Sequence, residues 1–195
     1  MLLELVAAGA SINGMSPQGV TPLHAAARYD NVTAVGWLLR HDADLDAKDN
    51  KGWTALHHAI AQNSAQAGEV LLAHGASANL IFPEDNNSGN ATEIEKCQGS
   101  LLYHAAKRDF VRSVTVLLPA GASTSYTYKG VYPIERAVSA GGWNVVEAFL
   151  SHYKETPSVA VPITMNDAVD GLAGAACMSA YGPASWWTPL KRNQC

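Results

Sequence analysis

Histidine supplies most of the side chains in this sequence that could do chemistry. Seven are present among 195 residues, and four of them, His24, His57, His58 and His104, lie in segments that resemble one another. An imidazole titrates near neutral pH, so it can serve as a general base, a proton shuttle or a metal ligand. Each of those roles needs a second group within reach. No G-x-S-x-G elbow, no phosphate-cradling glycine loop and no nucleophile with a motif-placed base occurs in the sequence. His57, His58 and His104 would make a metal pair only if neighbouring helices brought them together. Packed helices stand about 10 Å apart, and no carboxylate or cysteine completes a ligand set. Cys97, Cys177 and Cys195 are odd in number, far apart and free of C-x-x-C spacing, so they indicate neither a disulfide framework nor a zinc site. The sequence therefore predicts no catalytic residue, no metal ligand and no cofactor.

Composition narrows the classes further. With 48% hydrophobic and 15% charged residues the chain reads as a globular protein, and a net charge of −4 gives no global attraction to nucleic acid or anionic membrane. No apolar run reaches the ~20 residues of a membrane-spanning helix, so no membrane insertion is expected. The N-terminus has no basic n-region and carries an early Glu4, which argues for an intracellular setting, cytoplasmic or nuclear. In that setting the acceptor patterns Asn31-Val32-Thr33, Asn86-Asn87-Ser88 and Asn90-Ala91-Thr92 are coincidences of spacing.

The elements that position the histidines are repeats. In Gly19-Val20-Thr21-Pro22-Leu23-His24-Ala25-Ala26-Ala27, Thr21 can cap a helix and Pro22 suits its first position, while Leu23, Ala26 and Ala27 begin an apolar face. An offset of 33 carries Gly19 to Gly52, Thr21 to Thr54, His24 to His57 and Leu38-Leu39 to Leu71-Leu72. A third copy follows at an offset of 46, so 13 residues are inserted within Ile81 to Gln98, where turn formers dominate. A fourth, at an offset of 32, has Tyr132 in place of the Thr cap. A period of this length is the signature of a solenoid.

The unit G-x-T-P-L-H-x-A-A followed by V-x-x-L-L-x-x-G-A resembles the ankyrin repeat over about residues 1–153. The resemblance implies an all-α solenoid of stacked helix-turn-helix units joined by short β-hairpin-like loops. The expected organisation is a half repeat at 1–14, full repeats at about 16–48, 49–80, 95–126 and 127–153, and an insertion loop at about 81–94. A non-repeat segment follows at 154–195, with a helical cap at about 164–180. Trp187-Thr188-Pro189-Leu190 is similar to the opening motif but stops five residues later. Asp30-Asn31, Asn63, Asp109 and Gly141 fall at inter-helix turns, and Gly9, Gly75 and Gly121 end the outer helices. Asp42 takes that last place in the first full repeat and Tyr153 in the fourth. Leucine and valine side chains of Leu2 to Ala8 are expected to be exposed.

The resemblance also implies that His24 and His57 tie the turn together, and that partners bind the hairpin tips and the inner-helix face. The tips offer Gln18, Val20, Asn50, Lys51, Trp53, Lys96, Tyr128, Lys129 and Val131; the inner-helix face offers Arg28, Tyr29, Gln62, Lys107 and Arg108. Trp53, Tyr29 and Arg28 are the candidate anchors, because these residue types most often dominate binding energy. The projected face is basic, so the expected partner is another protein with an acidic, partly apolar segment. The competing expectations are that the lysines are ordinary solvated surface and that Trp53 packs on the next tip. Nucleic acid is disfavoured, since the cations are too sparse for phosphate neutralisation. The function read from sequence is a non-catalytic interaction module or scaffold, with no small-molecule substrate. The alternative is a substrate-recruiting domain of an enzyme whose catalytic domain lies elsewhere.

Overall fold

The computed structural model describes residues 11–83 and 99–156. The half repeat, most of the insertion and the cap at 164–180 lie wholly or largely outside the described residues, as do Leu2 to Ala8, Lys96 and the three cysteines. Within the described residues, short inner helices alternate with outer ones. The inner helices are α1 (Pro22–Arg28), α3 (Ala55–Ala61), α5 (Leu101–Lys107) and α7 (Pro133–Ala140). The outer helices are α2 (Val32–Arg40), α4 (Ala65–Ala73), α6 (Val111–Leu117) and α8 (Trp143–Glu155). Each inner helix packs on the next inner helix, and each outer helix on the next outer helix.

Small residues let the inner helices approach. Ala27, Ala59, Ala105, Ala106 and Ala137 are wholly excluded from solvent, while Leu23, Leu56, Leu71, Leu102 and Leu117 fill the space between layers. The inter-helix turns are left-handed at Asp30 (φ 53°), Asn63 (φ 58°), Asp109 (φ 56°) and Gly141 (φ 75°). The outer helices α2, α4 and α6 are followed by left-handed Asp42 (φ 62°), Gly75 (φ 97°) and Gly121 (φ 81°). The fourth outer helix departs from this. Helix α8 runs through to Glu155, and Tyr153 is buried inside it rather than terminating it, because an aromatic ring gains more by burial than it could offer as a cap.

Hydrogen bonds also tether neighbouring repeats, beyond apolar packing. Asp30 sends its carboxylate to the N–H of Ala67 at 2.8 Å, so a turn residue of one repeat caps the outer helix of the next. Asn63 does the same kind of work one repeat on, accepting from the Ser113 hydroxyl at 2.9 Å. On the outer-loop side, Asn13 donates to the Asp42 carbonyl and accepts from the Asp44 N–H, and Asn79 bonds Gly121 and Ser123 in the same way. Asp30→Gly keeps the left-handed turn but removes the inter-repeat cap. It should cost about 1 kcal/mol, the usual worth of a helix cap, readable as a lower urea midpoint.

One outer helix carries a removable weakness. Gly68 lies inside α4 and is buried, and a Cβ there would stand 3.6 Å from Ile60 Cδ1 and 3.8 Å from Leu56 Cδ1, ordinary contact distances. Gly68→Ala should therefore stabilise the protein by about 1 kcal/mol and raise its Tm. A Tm that falls would show that the site is tighter than this geometry.

The hairpins explain the irregular offsets. In the second repeat, Asp49 and Trp53 bracket a three-residue tip, with the Asp49 N–H donating to the Trp53 carbonyl at 2.9 Å and the Gly52 N–H to the Asp49 carbonyl at 2.8 Å. At the third repeat, Ile81–Phe82 (β1) pairs antiparallel with Gly99–Ser100 (β2), with Phe82 opposite Gly99. Ile81 and Phe82, counted in the expected insertion at about 81–94, belong to the hairpin base, whose ladder and buried phenyl ring keep them in the stack. The fourth hairpin is one residue shorter. Tyr128 and Val131 exchange two hydrogen bonds of 3.1 Å around Lys129 (φ 53°) and Gly130 (φ 78°), a two-residue turn of the mirror-image type. The shorter turn accounts for the offset of 32.

Candidate functional site: hairpin tips and the inner-helix face

Two histidines are the joints on which the tips stand. His24 Nδ1 faces the Thr21 N–H at 3.1 Å and the Thr21 hydroxyl at 2.8 Å, so it accepts, and Nε2–H donates to the Trp53 carbonyl of the next hairpin at 2.9 Å. His57 repeats the arrangement with Thr54 and reaches the Ile81 carbonyl at 3.1 Å. Burial holds the His57 imidazole down at about 4, aided by the nearby charge of His58, while the hydrogen bond to Ile81 acts the other way. At the third repeat Tyr103 takes the equivalent place, with its ring 5.3 Å from that of Tyr128, and Ser100 caps the helix through the Tyr103 N–H. At the fourth, the Glu135 carboxylate accepts from the Tyr132 N–H at 2.9 Å, the part that His24 Nδ1 and His57 Nδ1 play toward Thr21 and Thr54.

A carboxylate does reach one of the histidines, contrary to the expectation from sequence. Asp49 Oδ2 accepts from His58 Nε2 at 2.9 Å, with both side chains buried. Its other oxygen accepts from the N–H groups of Lys51 and Trp53 at 2.9 Å each, so Asp49 organises the tip and ties it to α3. Burial works to raise the Asp49 pKa, but these hydrogen bonds outweigh it and the net shift is downward. Burial lowers the His58 pKa, against the pull of Asp49. Ser16 plays the Asp49 part in the first tip, where its hydroxyl accepts from the N–H groups of Gln18 and Val20 at 3.2 Å. In the third repeat the equivalents of Asp49 and His58 are Phe82 and His104, whose rings lie 4.9 Å apart. Among the described residues no group of three potential ligands is placed to hold a metal ion.

Trp53 is not a surface anchor. It is only 8% exposed, with its indole 5.1 Å from the Phe82 ring and 5.2 Å from His58, so it packs on the following tip. An indole seated between repeats buries too much area to remain available at the surface. Asn50 is exposed but committed: its N–H donates to the Gln18 carbonyl and its side-chain amide to the Pro17 carbonyl, both at 3.0 Å. A Cβ on Gly19 (φ 76°) would lie 2.7 Å from Asn50 Oδ1, which shows how closely these two tips abut. Gln18, Lys51 and Lys129 are exposed, while Val20, Tyr128 and Val131 are half-buried.

On the inner-helix face, Tyr29 is 78% exposed, Arg28 and Gln62 are exposed, and Lys107 and Arg108 are partly so. Tyr29, Gln62 and Arg108 occupy the same place in successive repeats, each just past the C-terminal end of its inner helix. A seven-residue helix is about 10 Å long, so this row is separated from the tips by roughly that distance. The exposed Trp143, which opens α8 at the place held by Val32, Ala65 and Val111 in the earlier outer helices, was not singled out by sequence.

Four cations on these two rows lie over aromatic rings. Arg28 stands 5.9 Å from the Tyr29 ring centre, Lys51 5.6 Å from Trp53, Arg108 5.7 Å from Phe110 and Lys129 5.4 Å from Tyr128. Among the described residues none of the four makes an ion pair. Arg28 and Arg108 also meet the negative ends of α1 and α5, an interaction worth about 0.3–1 kcal/mol. No helix among the described residues is long and apolar enough to cross a membrane.

The chain is similar to known repeat proteins. A family profile described as ankyrin repeats (3 copies) matches residues 1–82. The mouse nuclear factor NF-kappa-B p105 subunit is 43% identical over 77 residues, covering 38% of this chain and 8% of that protein. The mouse RelA-associated inhibitor is 38% identical over 80 residues, covering 41% of this chain and 9% of its own length. The Drosophila melanogaster neurogenic locus Notch protein is 39% identical over 78 residues, covering 40% of this chain and 3% of that protein. The chain thus spans less than a tenth of the length of these relatives. The profile match over residues 1–82 and the helix pairs that continue the same unit to Glu155 agree on one architecture, a solenoid of ankyrin repeats.

Proposed function

We propose that this chain is a non-catalytic, intracellular interaction module that holds an acidic, partly apolar segment of another protein against its hairpin tips and inner-helix face. Ankyrin repeats are protein-binding modules, and the RelA-associated inhibitor is named for an association of that kind. The observation that carries the acidic character is the set Arg28, Lys51, Arg108 and Lys129. Each lies over a ring and has no carboxylate partner among the described residues, so an incoming carboxylate would meet positioned cations.

The test uses a fluorescent peptide rich in glutamate with one leucine and one tyrosine, titrated against the full chain. Reversing the cations with Arg28→Glu and Lys51→Glu should weaken binding at least tenfold and reduce its salt dependence, with the helical circular dichroism unchanged. Undiminished binding by the folded double variant would sink the acidic-partner reading.

A further inference from the structure

Resting on that reading of the inner-helix face, the geometry points to a partner segment that lies extended across the repeats and sets every third residue on one of them. We infer this from the row Tyr29, Gln62 and Arg108, which repeats one structural position three times, at the C-terminal end of α1, α3 and α5. Successive packed helices stand roughly 8–10 Å apart. In the extended polyproline II form a chain rises about 3.1 Å per residue with three residues per turn, so every third side chain returns to one face after a step of about 9 Å, which matches the row.

The chemistry of the row gives the order of the motif. Tyr29 offers an exposed ring with the Arg28 guanidinium beside it, suited to an apolar side chain or a proline ring. Gln62 offers an exposed amide, able to donate and accept at once. Arg108 offers a guanidinium without an ion-pair partner among the described residues, suited to a carboxylate. The next position in the row, Ala140, is small and exposed and leaves the far end open.

A helix would also match the spacing, since seven helical residues rise about 10.5 Å. The amide at the middle of the row favours the extended form. An extended backbone brings N–H and C=O groups that need partners, whereas a helix has already satisfied its own. The segment therefore reads apolar, then polar, then acidic, at a spacing of three.

The experiment titrates the full chain with labelled peptides made in both chain directions. The first is Leu-Ser-Pro-Asn-Ser-Pro-Glu. Two others have one spacer residue removed or added before the glutamate, and a fourth is an alanine-based helix with the same three side chains seven residues apart. The spacing-of-three peptide should bind at least tenfold more tightly than the other three. Arg108→Glu should abolish that preference, and a peptide ending in lysine should restore it. Equal affinity across spacings, preference for the helix, failure of the charge swap or no binding by any of them would overturn the register. If the register fails while the glutamate-rich peptide still depends on Arg28 and Lys51, the acidic-partner reading survives alone; if both fail, both fall.

Discussion

Replacing Phe82 by alanine should cost about 3–5 kcal/mol, the range for emptying a buried aromatic site. Phe82 is 1% exposed, and its ring lies 5.1 Å from Trp53, 4.9 Å from His57 and 4.9 Å from His104. It thus fills the seam between the second and third repeats with contacts from both sides. In a solenoid each repeat is supported only by its neighbours, so a void at an internal seam weakens cooperativity as well as stability. Urea unfolding of the variant, followed by tryptophan fluorescence and by far-ultraviolet circular dichroism, should show a lower midpoint and two curves that no longer coincide. Phe82→Leu, which keeps most of the volume, should retain coincident curves at a smaller cost. An unchanged midpoint in the alanine variant would mean that the seam closes without the ring.

Acid should destabilise the array well before its carboxylates protonate. Burial holds His57 and His104 at about 4, the latter with help from the Arg108 and Lys107 charges, whereas an unfolded histidine titrates near 6.5. Between those values the unfolded chain binds protons that the folded chain refuses, so stability falls as pH falls. Above about 6.5 both states are neutral at these sites and stability is flat with respect to them. Each histidine should withdraw roughly 2 kcal/mol at pH 5 and about 3 kcal/mol by pH 4. His58, also lowered by burial, acts in the same direction. Urea midpoints measured from pH 8 to pH 4.5 should drop steeply below 6.5. His104→Leu should flatten that slope by about one proton, because it removes a single refusing site. A flat profile down to pH 5 would contradict the burial of these rings in their neutral form.

The joints were legible in the sequence because they recur. Thr21 and His24 return as Thr54 and His57 at a fixed offset, and a repeated position in a solenoid carries a repeated job. The left-handed turns at Asp30, Asn63 and Asp109 were legible for the same reason, joined to their residue types. What the sequence concealed were contacts that occur once. Asp49 meets His58, but the same two places hold Ser16 and Ala25 in the first repeat and Phe82 and His104 in the third, so no periodicity advertises the pair. The burial of Trp53 depends on Phe82, a ring delivered by the following hairpin, so packing on the next tip stood only as the competing expectation, and position within its own repeat could not decide between the two. The short fourth turn showed only as an offset of 32, whose cause needed the paired Tyr128 and Val131.

The pairing of Phe82 with Gly99 gives the protein a port for new sequence. The ladder closes the excursion at its root, so the stack beneath is insulated from whatever length of chain is threaded through the tip. The entropy of loop closure grows only logarithmically with length, by about 0.6 kcal/mol for each doubling, so sixteen residues between paired positions instead of three ask for about 1.5 kcal/mol. A lineage could lengthen, shorten or rewrite that segment one codon at a time without disturbing the repeats on either side. An engineer could graft a foreign epitope there on the same terms.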